Sequence, residues 1–186
     1  QNKEQNDLSL LHKKCLSEKC NNVESHSLEL DNVFKNFENP LSDFKSEHGM
    51  ANSRARLRMT TLYQVAAANK GIVVGTGNKV EDFGVGFYTK YGDGGVDISP
   101  IADCTKTDVW ELGKELKIAE EIIKAKPTDG LWDDGRNDVE QLGMSYADLE
   151  KAMENKDDPN YQKYLEIRKR NLHKMNPIPV CKMKDE

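Results

Sequence analysis

The chain has 186 residues, 37% hydrophobic and 32% charged, which suits one folded domain with a modest core and excludes a fibrous or wholly disordered polypeptide. Its formal net charge of -5 at pH 7 provides no global basic field for a polyanion, so nucleic acid is not an expected partner. No apolar run approaches the roughly 20 residues that cross a bilayer, and residues 1–6 lack the apolar stretch of a secretory leader. No membrane partner is expected, and the chain reads as cytoplasmic.

Leu8, Leu11 and Cys15 recur at helical intervals and predict an amphipathic helix over 7–19. Residues 22–30 partly alternate, with Val23, Leu28 and Leu30 apolar, and predict a strand. Asp31 is placed to cap a short helix over 32–38, which Asn39-Pro40 stops, because the residue before proline is pushed out of helical geometry. The longest helical pattern covers 47–70, with Arg54, Arg56 and Arg58 as a solvated face and Asn69-Lys70-Gly71 as its stop. Ile72-Val73-Val74 follows, β-branched and bounded by glycines, as expected of a parallel strand covered on both faces. Thr105-Lys106-Thr107-Asp108 has capping-box spacing and starts a helix, and 119–125 continue as a second one ended by Pro127. Residues 128–143, rich in Gly, Asp and Asn, read as a long loop; loops of that length in compact domains are commonly functional. A helix opening at Ser145, a charged helix over 160–173 and an extended tail complete an α/β pattern that shows only two candidate strands.

Chemistry concentrates between residues 71 and 97. Thr76 stands where the strand ends, the place where open parallel sheets put ligands. Glu81 follows one loop on, and a carboxylate beside phosphates is a magnesium ligand type. Gly92-Asp93-Gly94-Gly95 is an ordinary tight turn on its own, but Lys90 and Asp97 flank it with groups suited to phosphates and hydroxyls. Lys106, Thr128, the arginine triplet and His173-Lys174 would each, taken alone, be solvated surface or helix-end residues. Cys15, Cys20, Cys104 and Cys181 form no Cys-x-x-Cys pair and no ligand-spaced cluster with histidine, so a zinc site is discounted.

Taken in order, Ala55-Arg56-Leu57-Arg58-Met59, Gly75-Thr76, Glu81, Phe87-Tyr88-Thr89-Lys90-Tyr91-Gly92-Asp93-Gly94, Thr105-Lys106, Lys126-Pro127-Thr128 and His173-Lys174 resemble the later two thirds of a bacterial NAD synthetase. The resemblance runs from about Asn52 onward. It implies a Rossmann-like parallel sheet with helices on both faces, of the adenine nucleotide alpha-hydrolase-like type, in a single domain over 1–186 that starts partway into the fold. It also implies ATP-dependent amidation of deamido-NAD with ammonia, through an adenylated carboxylate, in a homodimer that meets near the 47–70 helix. By matching motif, Thr76, Lys106 and Thr128 would contact ATP and Glu81 would hold Mg2+. Arg56, Lys90, Asp97, His173 and Lys174 would bind deamido-NAD, and Asp93 would position ammonia.

The sequence departs from that pattern in three places. Gly77-Asn78-Lys79 replaces the more usual Asp-x-Ala, the stretch between Glu81 and Lys90 is one residue longer, and no Ser-Gly-Gly-x-Asp-Ser pyrophosphate loop occurs. Residues 1–6 are expected to be the loop after a second, absent strand, and the 132–138 loop to become ordered on ligand binding. The alternatives are another adenylating enzyme of the same superfamily and a non-catalytic nucleotide-binding remnant.

Overall fold

The computed structural model describes residues 3–132 and 134–183. Helix α1 (Lys3–Lys19) takes in residues 3–6, so the expected loop there is a helical first turn; residues 1 and 2 lie outside the described residues. The Lys19 ammonium donates to the carbonyls of Leu116 (2.7 Å) and Lys117 (3.2 Å), which are free of intrahelical donors because a helix ends there.

The strand expected over 22–30 does not form. Val23 and Leu28 are 40% and 58% exposed, and no neighbouring strand among the described residues meets the segment. In α2 (Asp31–Glu38) Leu30 holds the cap position with no side-chain bond, and Asp31 is instead the first helical residue, where its charge suits the helix dipole. Asn39-Pro40 ends α2 at Glu38 as expected, and the chain goes on in a 3-10 segment over Asn39–Phe44, kinked at Leu41, whose first turn tolerates a proline that has no N–H to donate. Ser46 caps α3 (Glu47–Ala68), accepting from the Gly49 amide at 3.1 Å, and the helix buries Met50, Ala51 and Ala55.

After α3, Val74 and Ile98 form a parallel bridge in which the Gly75 amide donates to the Ile98 carbonyl (2.7 Å) and the Asp97 amide to that of Val73 (2.9 Å). Val73 is buried, but Ile72 and Val74 are 59% and 52% exposed. The strand predicted to be covered on both faces is therefore covered on one, with no further strand beside it among the described residues.

Residues Lys79–Val85 form a π-helix, a wider coil that recurs at functional sites. Asn78, 2% exposed, caps it by accepting from the amides of Val80 (3.0 Å) and Glu81 (3.1 Å), which accounts for the asparagine in the departed motif. Its last carbonyls are met from α8 (Tyr161–Met175): Arg168 Nη1 donates to Phe83 O and Gly84 O, Asn171 Nδ2 to Val85 O, and Lys174 Nζ to Gly86 O and Tyr88 O. These three side chains stand three residues apart on one helix face. Gly86 lets α8 come close, since its φ of 67° is left-handed and a Cβ there would lie 2.6 Å from Asn171 Cβ.

Helices α4 (Lys106–Glu115) and α5 (Glu120–Ile123) follow, the first with the predicted capping box between Thr105 and Asp108. The region 128–143 is not all loop, because Asn137 and Glu140 make a second capping box that opens α6 (Asp138–Leu142). Ser145 caps α7 (Tyr146–Glu154). The main core joins the π-helix, α6, α7 and α8 around Val80, Val85, Leu142, Tyr146, Leu149 and Ile167, and Leu149, Val80 and Val85 have no exposed surface.

Candidate functional site

The π-helix, the start of α4 and the starts of α6 and α7 place four polar side chains together beside this core. Glu81 Oε1 accepts from Lys106 Nζ at 2.9 Å, with the two side chains 15% and 17% exposed. The same oxygen contacts the Tyr146 hydroxyl at 2.6 Å, and that hydroxyl lies 2.8 Å from Asp138 Oδ2. The Lys106 ammonium also sits 4.7 Å from the centre of the Tyr146 ring, whose edge meets Trp110.

A phenol has one hydrogen, so it cannot donate to two carboxylates at once. One carboxyl must bring the second proton. Asp138 is the better suited, at 6% exposure, with its carboxyl pushed above the ordinary range by burial and held back in part by the Tyr146 bond. Its other oxygen, Oδ1, is buried without a partner. Tyr146 is itself pushed well above its ordinary value by burial and by both carboxylates, and stays a phenol.

Lys106 and Thr128 line one cavity of about 540 Å3 with Trp110 and Pro127, a size that accepts a nucleotide. Thr128 Oγ1 donates to Arg136 O (3.2 Å) and accepts from the Gly130 amide (3.3 Å). Thr76 does not line that cavity and is exposed at the strand end. The arginines of α3 are not uniformly a solvated face. Arg58 donates to the carbonyls of Asp129 and Gly130 and Arg54 to that of Leu131, so two of the three clasp the loop that follows Thr128.

Arg56, Lys90 and His173 are brought together: Arg56 Nε donates to Lys90 O at 3.2 Å, and Lys90 Nζ to His173 O at 2.8 Å. Asp97 is engaged elsewhere, accepting from the Val73 amide (2.7 Å) and the Tyr63 hydroxyl (3.2 Å), where it fastens the strand end to α3. Asp93 Oδ1 accepts from the Thr89 amide at 2.9 Å, and Thr89 in turn bonds Asn52 of α3. Burial raises the Asp93 carboxyl above its ordinary value, while burial lowers the Lys174 ammonium and Asp93 opposes that lowering.

Asp93 borders two cavities. One, of about 100 Å3, is shared with Asn52, Trp132 and Lys174. The other, of about 200 Å3, is shared with Gly75, Gly77 and Asp82. Burial first, then the charges of Glu81 and Asp93, push the Asp82 carboxyl up to about 6.

Asp82, Asp138 and Tyr146 were absent from the residues singled out by sequence. Asp82 and Tyr146 carry no local motif for such a role, whereas the Asn137-to-Glu140 capping pattern could have drawn Asp138 out of the predicted loop. No group of three or more His, Cys, Asp or Glu side chains among the described residues could hold a metal ion alone.

A family model described as NAD synthase matches residues 2–184. The NH3-dependent NAD+ synthetase of Thermoplasma acidophilum is 43% identical over 134 residues, 68% of this chain and 55% of that protein. Its namesake in Thermoplasma volcanium is 36% identical over 159 residues, 82% of this chain and 64% of its own length. The chain thus spans a little over half to about two thirds of these relatives.

Among solved structures, the NMN synthetase of Francisella tularensis superposes with a TM-score of 0.79 at 29% identity, covering 86% of this chain and 67% of that one. The NH3-dependent NAD synthetase of Campylobacter jejuni superposes with a TM-score of 0.73 at 23% identity, covering 98% and 74%, and shares the fold. With the family pattern matched along almost its whole length, the chain belongs to the NAD synthase family.

Proposed function

We propose that the protein amidates deamido-NAD to NAD, using ATP and ammonia and releasing AMP and pyrophosphate. The observation that carries this reading is Asp93 set between two cavities, with Lys174 beside it and the Lys106–Glu81 pair on the neighbouring elements. A carboxylate oxygen is a poor leaving group, so the substrate carboxylate first attacks the α-phosphorus of ATP and pyrophosphate departs. Ammonia then attacks the acyl carbon, the bond to AMP breaks, and the nitrogen sheds a proton.

In this reading Thr76, Lys106 and Thr128 contact ATP, the Lys106 ammonium meeting phosphate oxygens through charge-assisted bonds. Arg56, Lys90, Asp97, His173 and Lys174 bind the dinucleotide. Asp93, whose Oδ1 is fixed by the Thr89 amide, holds ammonium with Oδ2 and takes up a proton, helped by the raised affinity of its carboxyl for protons. Glu81 fits a magnesium ion: both of its contacts fall on Oε1, which leaves Oε2, and magnesium needs only one or two carboxylates besides phosphate oxygens. When bound, that ion supplies charge neutralisation for the departing pyrophosphate. We read residues 1–186 as part of one Rossmann-like domain acting in the cytoplasm as a homodimer.

The test is incubation of the full-length protein with deamido-NAD, ATP, magnesium and ammonium. NAD and AMP are expected in equal amounts, and the appearance of neither refutes the reading. Likeness to the Francisella NMN synthetase favours a second reading, formation of the mononucleotide amide. Competing the acid mononucleotide against deamido-NAD in the same assay separates the two by their kcat/KM.

A further inference from the structure

We propose that Tyr146 is a positioning residue, whose phenol fixes Glu81 and Lys106 in the orientation that the metal–nucleotide complex requires. The proposal rests on the functional reading above, in which Glu81 meets the ion and Lys106 the phosphates.

The geometry is specific. Glu81 sits on the π-helix and Lys106 at the start of α4, so no shared element fixes their relative position. Tyr146, 3% exposed, touches both: its hydroxyl holds Glu81 Oε1 at 2.6 Å and its ring lies beneath the Lys106 ammonium at 4.7 Å. The ring cannot swing away, since Trp110 packs edge-on against it at 6.3 Å between centroids and the surrounding core is closed. Asp138 then fixes the hydroxyl from the other side at 2.8 Å.

Asp138 is held in its turn by its own backbone. Its amide donates to Pro127 O at 3.0 Å, so the residue that backs Tyr146 also closes the neck of the loop that starts with Thr128. One side chain thereby links the carboxylate and the loop through its hydroxyl, and the ammonium through its ring, in the proposed nucleotide site. Hydrogen bonds to a ligating carboxylate are worth about 10- to 100-fold in metal affinity where they have been removed in metal sites generally.

The test uses the full-length protein, the substitution Tyr146→Phe and two readouts: magnesium-dependent binding of ATP by calorimetry, and steady-state kinetics. Tyr146→Phe keeps the ring on Trp110 and removes only the hydroxyl. The expected result is at least a tenfold rise in the magnesium concentration that half-saturates ATP binding and turnover, with the KM for deamido-NAD unchanged and the Tm only modestly lowered, since the buried Asp138 carboxyl loses its side-chain partner. Asp138→Asn, whose amide can donate to the phenol oxygen, is expected to lose less affinity than Asp138→Ala.

Unchanged magnesium dependence in Tyr146→Phe overturns the proposal and leaves the functional reading standing. So does a uniform loss of all parameters together with a large drop in Tm, which marks a structural role. Failure of the unsubstituted protein to bind ATP with magnesium overturns both.

Discussion

Asp82→Asn is expected to stabilise the protein at neutral pH and to leave it unchanged in acid. Asp82 lies on the π-helix, carries no hydrogen bond or ion pair from its carboxyl among the described residues, and has Glu81 and Asp93 as like-charged neighbours. Its folded-state carboxyl is pushed up from 3.8 to about 6. The sign follows from proton counting: between those values the folded state binds more protons than the unfolded one, so stability falls as pH rises from about 4 to about 6 and the whole penalty is present above that.

The full interval corresponds to about 3 kcal/mol, and because the carboxyl is only partly buried, solvent screening reduces this to about 1 kcal/mol. Asparagine keeps the shape and removes the charge. In chelator-containing buffer, denaturant unfolding should therefore show Asp82→Asn about 1 kcal/mol more stable than the parent at pH 7.5, and equal to it at pH 4. A gain of the same size at both pH values, or a loss at pH 7.5, would show that the carboxylate is not strained by burial and like charge.

Leu149→Ala removes a side chain with no exposed surface from the centre of the main core and should cost 2–5 kcal/mol by denaturant midpoint; a loss below about 1 kcal/mol would mean that the cavity collapses freely. Gly86→Ala forces a left-handed residue and a Cβ onto Asn171, and thermal unfolding should report a loss of about 1–3 kcal/mol. Arg58→Met releases two carbonyls of the loop after Thr128, so amide exchange over 129–132 should quicken while exchange in α7 and α8 stays as it was. Protection unchanged over 129–132 would show that Arg54 alone holds the loop.

What could be read from sequence was whatever local chemistry fixes. Ser145 and the Thr105-to-Asp108 box placed helix starts correctly, because a cap satisfies amides of its own first turn. The pattern over 22–30 misled, since alternation signals a strand only when another strand accepts its bonds. Ile72 to Val74 show the same dependence: their β-branched composition says they can be covered, and coverage comes from outside the segment.

For the candidate site, the residues around Glu81 and Asp93 could be singled out by their local motifs. The bracing by Tyr146 and Asp138 could not, because it joins positions 65 and 8 residues apart through a single hydroxyl. Nor was the π-helix over 79–85 legible, because its conformation depends on Asn78 at one end and α8 at the other.

The row of Arg168, Asn171 and Lys174 also bears on the order in which the site comes into being. These side chains reach carbonyls 84, 86 and 88 residues away in sequence, so their bonds close some of the longest chain loops in the molecule. Contacts of that range form late in folding, after local helices are already present. During synthesis the π-helix leaves the ribosome long before α8 does, and in the interval its carbonyls have only water to bond. The nucleotide site is thus expected to reach its working shape last, when α8 docks, and a chain paused before Arg168 should hold the Glu81 motif without the geometry that lets it act.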